Sequence, residues 1–227
     1  MQQQESIDNI IQQSDIRLIA VEGVIGVGKT SLCRKLGEAL AAKLVVERYE
    51  ENPFLKDFYR DPARFAFQTQ IFFLLARYKQ QRDLFQTDLF HRFVITDYIF
   101  EKDKIFAYLN LEDDELKLYE TLVSGMEHSI PTPDLVIYLQ SSVERLMQNI
   151  RKRGRDFEVN VTEAYIKDLN EAYNYFFFRY RTTPLLIVNA AETDFITNDD
   201  QYHDLLREIF RTNRAAVEYY NPRREKR

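Results

Sequence analysis

The sequence predicts an α/β protein of three layers, in which a five-stranded parallel sheet lies between helices. Short β-branched runs alternate with longer amphipathic stretches, and the runs are apolar at successive positions, as in strands buried on both faces. The predicted strands are RLIAVEG, KLVVERY, FVITDY, DLVIYLQ and LLIVNA. The predicted helices between them are 64–86, 111–127, 142–153 and 162–180. Alternation of this kind favours right-handed crossovers within one domain.

Composition narrows the class of protein. The 227 residues suit one domain, predicted at 16–212 between a polar lead-in at 1–15 and a basic tail at 213–227. A formal charge of −5 argues against a general nucleic-acid partner. The single cysteine, Cys33, fits a reducing compartment and so a cytoplasmic location. No apolar stretch approaches the ~20 residues that cross a bilayer, so a membrane partner is not expected.

The first strand leads into GVIGVGKT, which has the spacing of a phosphate-binding loop. Small residues let backbone N–H groups surround phosphate oxygens at the positive end of the helix that follows. In this pattern Lys29 reaches the β- and γ-phosphates of a nucleoside triphosphate, and the Thr30 hydroxyl ligates Mg²⁺. Because a strand precedes the loop and a helix follows it, the sequence predicts a P-loop NTPase-type fold. The predicted nucleotide-binding residues are Gly23, Val24, Ile25, Gly26, Val27, Gly28, Lys29, Thr30 and Ser31.

Acidic residues end the next two predicted strands, at Glu47 and Asp97. Ligands of open parallel sheets bind beyond the carboxyl ends of the strands, so both acids are expected near the loop. Phosphoryl transfer needs a Mg²⁺ ligand and often a proton acceptor. Acids also cap strand ends and helices for structural reasons alone. The spacing by itself leaves both interpretations open.

A basic cluster follows the helix at 142–153, with Arg151, Lys152, Arg153 and Arg155 around Gly154. Such a run is usually a solvated surface. In a protein that binds a triphosphate, however, guanidinium groups can stabilise the charge on the phosphoryl oxygens during transfer. The cluster therefore predicts an Arg-rich lid over the triphosphate.

Taken together, these features resemble the deoxynucleoside kinases over about Arg17 to Phe210, and most of all the bacterial deoxyadenosine/deoxyguanosine kinase group. The motifs that carry the resemblance are GVIGVGKTSL, ERYEENPFLKDFY, FAFQTQIFFLLARYKQ, TDYIFEKDKIFA, RGRDFE with Tyr165 behind it, and ETDF. The family implies transfer of the ATP γ-phosphoryl group to the 5′-hydroxyl of a deoxynucleoside, in nucleotide salvage and with a preference for purines. Family members commonly form homodimers, and broad apolar faces on the helices at 64–86 and 111–127 favour the same state here.

The resemblance also implies roles for individual residues. Glu47 looks like the general base that accepts the 5′-hydroxyl proton, and Asp97 is expected to hold Mg²⁺ with Thr30. Asp194 and Phe195 resemble the loop that holds the ATP adenine. The remaining catalytic assignments are Lys29, Arg153 and Arg155.

Nucleoside contacts follow from the same comparison with the family. Gln68 would pair its amide with the base edge, with Asp103 beside it as an acceptor and Phe67 as part of the wall. Tyr59 and Glu158 would bind the sugar 3′-hydroxyl. The full predicted set is Glu47, Tyr59, Phe67, Gln68, Arg77, Asp103 and Glu158.

The chain departs from the family pattern at three positions. Tyr98 stands where many members have an arginine directly after the acid, so an active-site cation is missing there. Asn149 stands where many lids begin with arginine, and Arg151 is a candidate to compensate from another turn position. Arg77 lies two residues later than the arginine that contacts the base.

Two other functions fit parts of the sequence. A thymidylate-kinase-like nucleoside monophosphate kinase would need fixed cations for the substrate phosphate, and the chain offers at most Arg48, Lys104 and Arg77. A nucleotide-binding module without catalysis would leave Glu47 and Asp97 with structural roles only. The presence of a base, a metal ligand and lid cations favours the kinase.

Overall fold

A six-stranded parallel sheet forms the centre of the computed structural model, which describes residues 2–84 and 90–221. The strands lie in the order β2-β3-β1-β4-β5-β6, and every pairing is parallel. Their bounds are β1 Leu18–Gly23, β2 Lys43–Val45, β3 Val94–Thr96, β4 Leu135–Gln140, β5 Leu185–Asn189 and β6 Val217–Tyr220. The predicted α/β class is confirmed, but the sheet has one strand more than predicted. This strand, β6, lies within the stretch predicted as a basic tail, of which residues 222–227 fall outside the described part.

Nine α-helices are present in the described part of the chain. They are α1 Gln2–Gln13, α2 Lys29–Leu40, α3 Leu55–Phe58, α4 Pro62–Arg82, α5 Lys102–Asn110, α6 Asp113–Ser124, α7 Val143–Arg153, α8 Glu163–Arg179 and α9 Asp199–Ile209. The four predicted helices correspond to α4, α6, α7 and α8, although residues 85 and 86 of the first lie outside the described part. No helix among the described residues is long and apolar enough to cross a membrane.

Local sequence signals fix the ends of the helices that carry the basic cluster. The Ser142 hydroxyl accepts a hydrogen bond from the Arg145 N–H and caps the start of α7. Gly154 ends this helix with a φ of 63°, in the left-handed region that glycine tolerates. The next helix, α8, is capped by Thr162, which accepts from the Tyr165 N–H. The basic residues thus fall in the last turn of α7 and in a short connection, above the carboxyl edge of the sheet.

The core lies on both sides of the three central strands. β1, β4 and most of β5 are buried, as the continuous apolar runs predict. Aromatic side chains of α8 pack on the sheet, and the rings of Tyr138 and Phe177 stack with their centroids 4.3 Å apart. The predicted lead-in is the helix α1, whose Ile7 is buried in the main hydrophobic core. The described part of this stretch therefore packs against the rest of the protein through Ile7.

Candidate active site

Glycines shape the phosphate-binding loop between β1 and α2. Gly26 and Gly28 have φ angles of 88° and 107°, which side-chain-bearing residues rarely adopt. A Cβ atom on Gly23 would lie 2.6 Å from the Leu139 carbonyl oxygen, and one on Gly26 would lie 2.8 Å from that of Leu146. The loop therefore contacts β4 and α7 through bare backbone, and its N–H groups lie at the positive end of α2.

Lys29 places its ammonium group at the mouth of this loop. Its Nζ donates to the Gly23 carbonyl oxygen at 2.6 Å and to that of Val24 at 3.3 Å. Burial, helped by the nearby Lys102 charge, lowers the pKa of Lys29 to about 8. An anion in the loop would stabilise the charged form of this side chain.

A pair of oxygen donors lies beside the loop, where β3 ends. The Thr30 hydroxyl donates to Asp97 Oδ2 at 2.9 Å, and the other oxygen of Asp97 accepts from the Glu47 N–H at 2.7 Å. Mg²⁺ prefers such oxygen ligands and commonly uses one or two carboxylates together with phosphate oxygens. No cluster of three or more acidic, His or Cys ligands occurs within residues 2–84 and 90–221. Thr30 and Asp97 thus fit a Mg²⁺ ion that shares its ligands with a bound phosphate.

The Glu47 carboxylate lies between two cations. Its Oε1 accepts from Arg77 Nε at 2.8 Å and Nη2 at 2.5 Å, and its Oε2 accepts from Lys102 Nζ at 2.8 Å. Burial opposes ionisation, but the charges of Arg77 and Lys102 outweigh it and hold the pKa of Glu47 far below its usual value. Glu47 is therefore ionised at neutral pH, as a proton acceptor must be.

Arg77 connects Glu47 to a second buried carboxylate. Its Nη1 donates to Asp103 Oδ1 at 2.6 Å, and Asp103 is 1% exposed. The amide nitrogen of Gln70 donates to the same oxygen at 2.6 Å and to the Asp103 carbonyl oxygen at 2.8 Å. Burial exceeds the attraction of Arg77 and raises the pKa of Asp103 to about 6. Asp103 lies behind the cavity wall, where it orients Gln70 and Arg77.

One cavity extends from the phosphate-binding loop to the side chains of Glu47 and Arg77. Lys29, Thr30 and Asp97 line the part formed by the loop, and Glu47 and Gln70 line the part beside Arg77. Aromatic side chains are the largest group in the remaining wall: Tyr49, Phe58, Tyr59, Phe73, Phe106, Phe157, Tyr165 and Tyr173. A triphosphate site therefore opens directly into a flat-walled pocket suited to a planar ring system.

The structure does not bring Gln68 to this cavity. Gln68 is exposed and Phe67 is half-buried outside the lining, whereas Gln70 lines the pocket. A shift of two residues turns a helical side chain by about 200°, so neighbouring glutamines of the sequence FQTQ face opposite ways. With Gln68 as the base-contacting glutamine, Arg77 lies two residues later than the family pattern expects. With Gln70 as that glutamine, Arg77 is seven residues further along and falls at the expected position. That delay was the signal that the predicted register was wrong.

The predicted lid lies over the cavity. Arg153 donates to Glu158 through Nη2 at 2.5 Å and Nε at 3.2 Å, and Arg155 Nη1 lies 3.5 Å from the same carboxylate. The Arg155 guanidinium also lies 4.0 Å from the centroid of the Tyr49 ring. All of these residues line the cavity, as does Tyr59. The structure thus brings Tyr59, Glu158, Arg153 and Arg155 together as the sequence predicted.

The structure also locates Asn149, Arg151 and the two residues of the predicted adenine loop. Asn149 Nδ2 donates to the Gly26 carbonyl oxygen at 2.8 Å and fastens α7 to the phosphate loop, while Arg151 is exposed outside the cavity. Phe195 is buried, and a Cβ on Gly28 would lie 3.8 Å from its ring. Asp194 is exposed and accepts from the Thr197 N–H at 2.9 Å. Both lie outside the cavity, on the α2 side of the loop.

The fold and the site define a phosphotransferase with a phosphate-binding loop. The deoxynucleoside kinase family model matches residues 19–213, so it covers most of the chain. The chain therefore belongs to the deoxynucleoside kinase family.

Individual relatives agree with this assignment. A deoxyadenosine/deoxycytidine kinase of Bacillus subtilis is 29% identical over 199 residues, which are 85% of this chain and 91% of the relative. A deoxyguanosine kinase of the same organism is 32% identical over 191 residues, or 81% and 91% of the two chains. The solved structure of a deoxyadenosine kinase from M. mycoides, with the products dCMP and dCDP bound, superimposes with a TM-score of 0.75 at 27% identity. That match covers 85% of this chain and 98% of the other.

Proposed function

We propose that this deoxynucleoside kinase transfers the γ-phosphoryl group of ATP to the 5′-hydroxyl of a purine deoxynucleoside, with Glu47 as the proton acceptor, in nucleotide salvage. The supporting observation is that the ionised Glu47 carboxylate lies in one cavity with Lys29 and with the aromatic pocket. A nucleoside in the pocket would present its 5′-hydroxyl toward the phosphate loop.

In this reaction the 5′-oxygen forms a bond to the γ-phosphorus while the bond to the β,γ-bridging oxygen breaks. The electron pair of that bond leaves with ADP, and the hydroxyl proton passes to Glu47. Lys29, Arg153 and Arg155 stabilise the phosphoryl charge. Mg²⁺, held by Thr30 and Asp97, would supply further neutralisation of the phosphate oxygens.

The positions of the spare cations favour a neutral acceptor over a nucleoside monophosphate. Arg48 pairs with Glu51 on the surface at 3.2 Å, and Lys104 pairs with Glu127 away from the cavity. Arg77 lines the cavity but is occupied by two carboxylates. A second phosphate would therefore find none of these three cations both unpaired and in the cavity.

The base end of the cavity favours a base that carries an amino group. The amide nitrogen of Gln70 is committed to Asp103, which leaves its carbonyl oxygen as an acceptor for a ligand. Adenine and cytosine present an amino group on the corresponding edge. We therefore propose deoxyadenosine as the preferred purine and deoxycytidine as its closest competitor.

The test is a comparison of kcat/KM for deoxyadenosine, deoxyguanosine, deoxycytidine, thymidine and dTMP with ATP and Mg²⁺. Glu47→Gln should lower transfer by roughly 10²–10⁴-fold with ATP binding retained. Glu51→Gln is the matched control, because Glu51 is exposed on the same segment and should leave the rate unchanged. Faster turnover of dTMP than of any nucleoside would favour the monophosphate kinase. ATP binding without transfer to any of the five would favour a non-catalytic module.

We also propose that the chain forms a homodimer, through a face different from the predicted one. Large exposed apolar side chains lie on α5 and α8, where Tyr108, Tyr175 and Phe178 are 61%, 63% and 68% exposed. On α4 and α6, the helices favoured by the sequence, they are fewer: Leu75 and Leu118. Sedimentation velocity at micromolar concentration should show a dimer that Tyr175→Glu dissociates, and a wild-type monomer would contradict the proposal.

A further inference from the structure

The position after Asp97 contributes no charge to the site. Tyr98 is fully buried, lies outside the cavity lining, and donates its hydroxyl to Gln80 Oε1 at 2.9 Å. An arginine at this position would have supplied a cation next to the two acids at the strand ends.

A different cation reaches the site from the next turn of the chain. Lys102, the first residue of α5, is 3% exposed and lines the same cavity as Lys29. The segment that carries it is firmly held: the Lys102 N–H donates to the Ile99 carbonyl oxygen at 3.2 Å, and the Ile99 N–H donates to Glu22 Oε1 at 2.8 Å. Because Glu22 directly precedes Gly23, the last residue of β1 and the first of the phosphate loop, Lys102 has a fixed position relative to that loop.

The two cations that contact Glu47 differ in their other partners. Arg77 is held at both ends, by Glu47 and by Asp103. Within the described part of the chain, the Lys102 ammonium has an ion pair with Glu47 only. Lys102 and Lys29 line the same cavity, so their like charges repel each other across it. An anion bound between them would relieve this repulsion.

We propose that Lys102 supplies the cation that is missing at Tyr98: it holds Glu47 Oε2 until the 5′-hydroxyl binds, and then turns its ammonium to the phosphoryl group being transferred. The hydroxyl takes the place of the ammonium on Glu47, and Arg77 keeps the carboxylate in position through the other oxygen. This inference depends on the kinase activity proposed above, with Glu47 as the base.

The test separates the charge of Lys102 from its hydrogen bond to Glu47. Lys102→Arg keeps both, Lys102→Gln keeps a donor without charge, and Lys102→Met removes both. Lys104→Met is the matched control, since Lys104 lies on the same helix but pairs with Glu127 outside the cavity. Each protein is assayed for the single-turnover rate of transfer and for the dissociation constants of ATP and deoxynucleoside.

We expect Lys102→Met and Lys102→Gln to lower the transfer rate on the order of 10²-fold, with both dissociation constants little changed. Lys102→Arg should recover most of the rate, and Lys104→Met should match the wild type. If Lys102→Gln is as active as Lys102→Arg, the side chain only holds Glu47 and the inference is wrong. Equal rates in all variants would also overturn it while leaving the kinase function intact, whereas an inactive wild type would contradict the proposed function itself. Should Lys102→Met fail to fold, the comparison of Arg with Gln decides.

Discussion

The two ends of the cavity are built in different ways. At the phosphate end, backbone N–H groups and carbonyl oxygens of a glycine-rich turn define the shape, and Lys29 itself rests on two backbone carbonyl oxygens. At the nucleoside end, the contacts are between side chains from α4, α5 and the β2 segment, with Arg77 between Glu47 and Asp103.

This difference affects how the two ends respond to mutation. A backbone-built loop depends mainly on the conformation of a few adjacent residues, and the Asn149 side chain is one of its contacts from α7. In the nucleoside end each charge is stabilised by another buried charge, so removing one leaves its partners unpaired. We therefore expect single substitutions at the nucleoside end to affect stability as well as activity.

The largest effect is expected for Arg77→Met, which leaves Glu47 and Asp103 without their shared cation. Breaking a buried ion pair costs about 3–5 kcal/mol, so the free energy of unfolding should fall by that amount. Urea unfolding followed by circular dichroism measures it. Arg82→Met, near the end of the same helix, removes a half-exposed guanidinium next to Asp83 and should cost less than about 1 kcal/mol. Similar losses in the two variants would show that the buried ion pairs of Arg77 stabilise the protein no more than a surface pair does.

A smaller effect is expected for Gln70→Leu, which removes the amide that we propose contacts the base. Leaving its polar partners unsatisfied costs about 1–3 kcal/mol, so kcat/KM for the nucleoside should fall roughly 10- to 100-fold. The KM for ATP should stay constant, because the phosphate end is untouched. Gln68→Leu should change kcat/KM by no more than about twofold, since that side chain is exposed. A larger loss of kcat/KM for Gln68→Leu than for Gln70→Leu would support the register predicted from the sequence, in which Gln68 faces the cavity.

The smallest effect concerns pH, because the two carboxylates on Arg77 have opposite pKa shifts. The pKa of Asp103 is raised from 3.8 to about 6, so the stabilisation it gives is present below its unfolded value and lost as pH rises through 6. Relative to Asp103→Asn, the wild type should lose about 1 kcal/mol of unfolding free energy between about pH 5 and pH 7.

Glu47 should show the opposite slope. Its pKa is lowered from 4.5, so its stabilisation is present above that pH and is lost on acidification. The free energy of unfolding should be measured above and below pH 4.5 for the wild type and for Glu47→Gln. The difference between the two proteins should become smaller as the pH falls below 4.5. If the two stability differences changed with pH in the same direction, the opposite pKa shifts described for Asp103 and Glu47 would be wrong.

The contrast between a loop built from backbone groups and a pocket built from side chains explains which parts of the site could be predicted from the sequence. The loop followed from the spacing of Gly23, Gly28, Lys29 and Thr30, because a backbone-built site depends on residues that are adjacent in the chain. The positions of the acids followed from the rule that ligands bind where parallel strands end.

Side-chain contacts between helices could not be predicted in the same way. The stretch FAFQTQ offers two glutamines and two phenylalanines, and apolar spacing alone does not say which faces the cavity. The contact of Lys102 with Glu47 joins residues that are 55 positions apart, which no local pattern records. Strand β6 was missed because VEYY is short, charged and only half-buried, so it lacks the apolar continuity of the inner strands.

Strand β6 also has a practical consequence for anyone who shortens the protein. The family model ends at residue 213, before this strand begins, so a chain cut there would look complete by homology. The cut would uncover the edge of β5, whose LLIVN run would then present unpaired N–H and C=O groups to other molecules. Such an edge is a template for intermolecular pairing, and aggregation during purification would be the expected result.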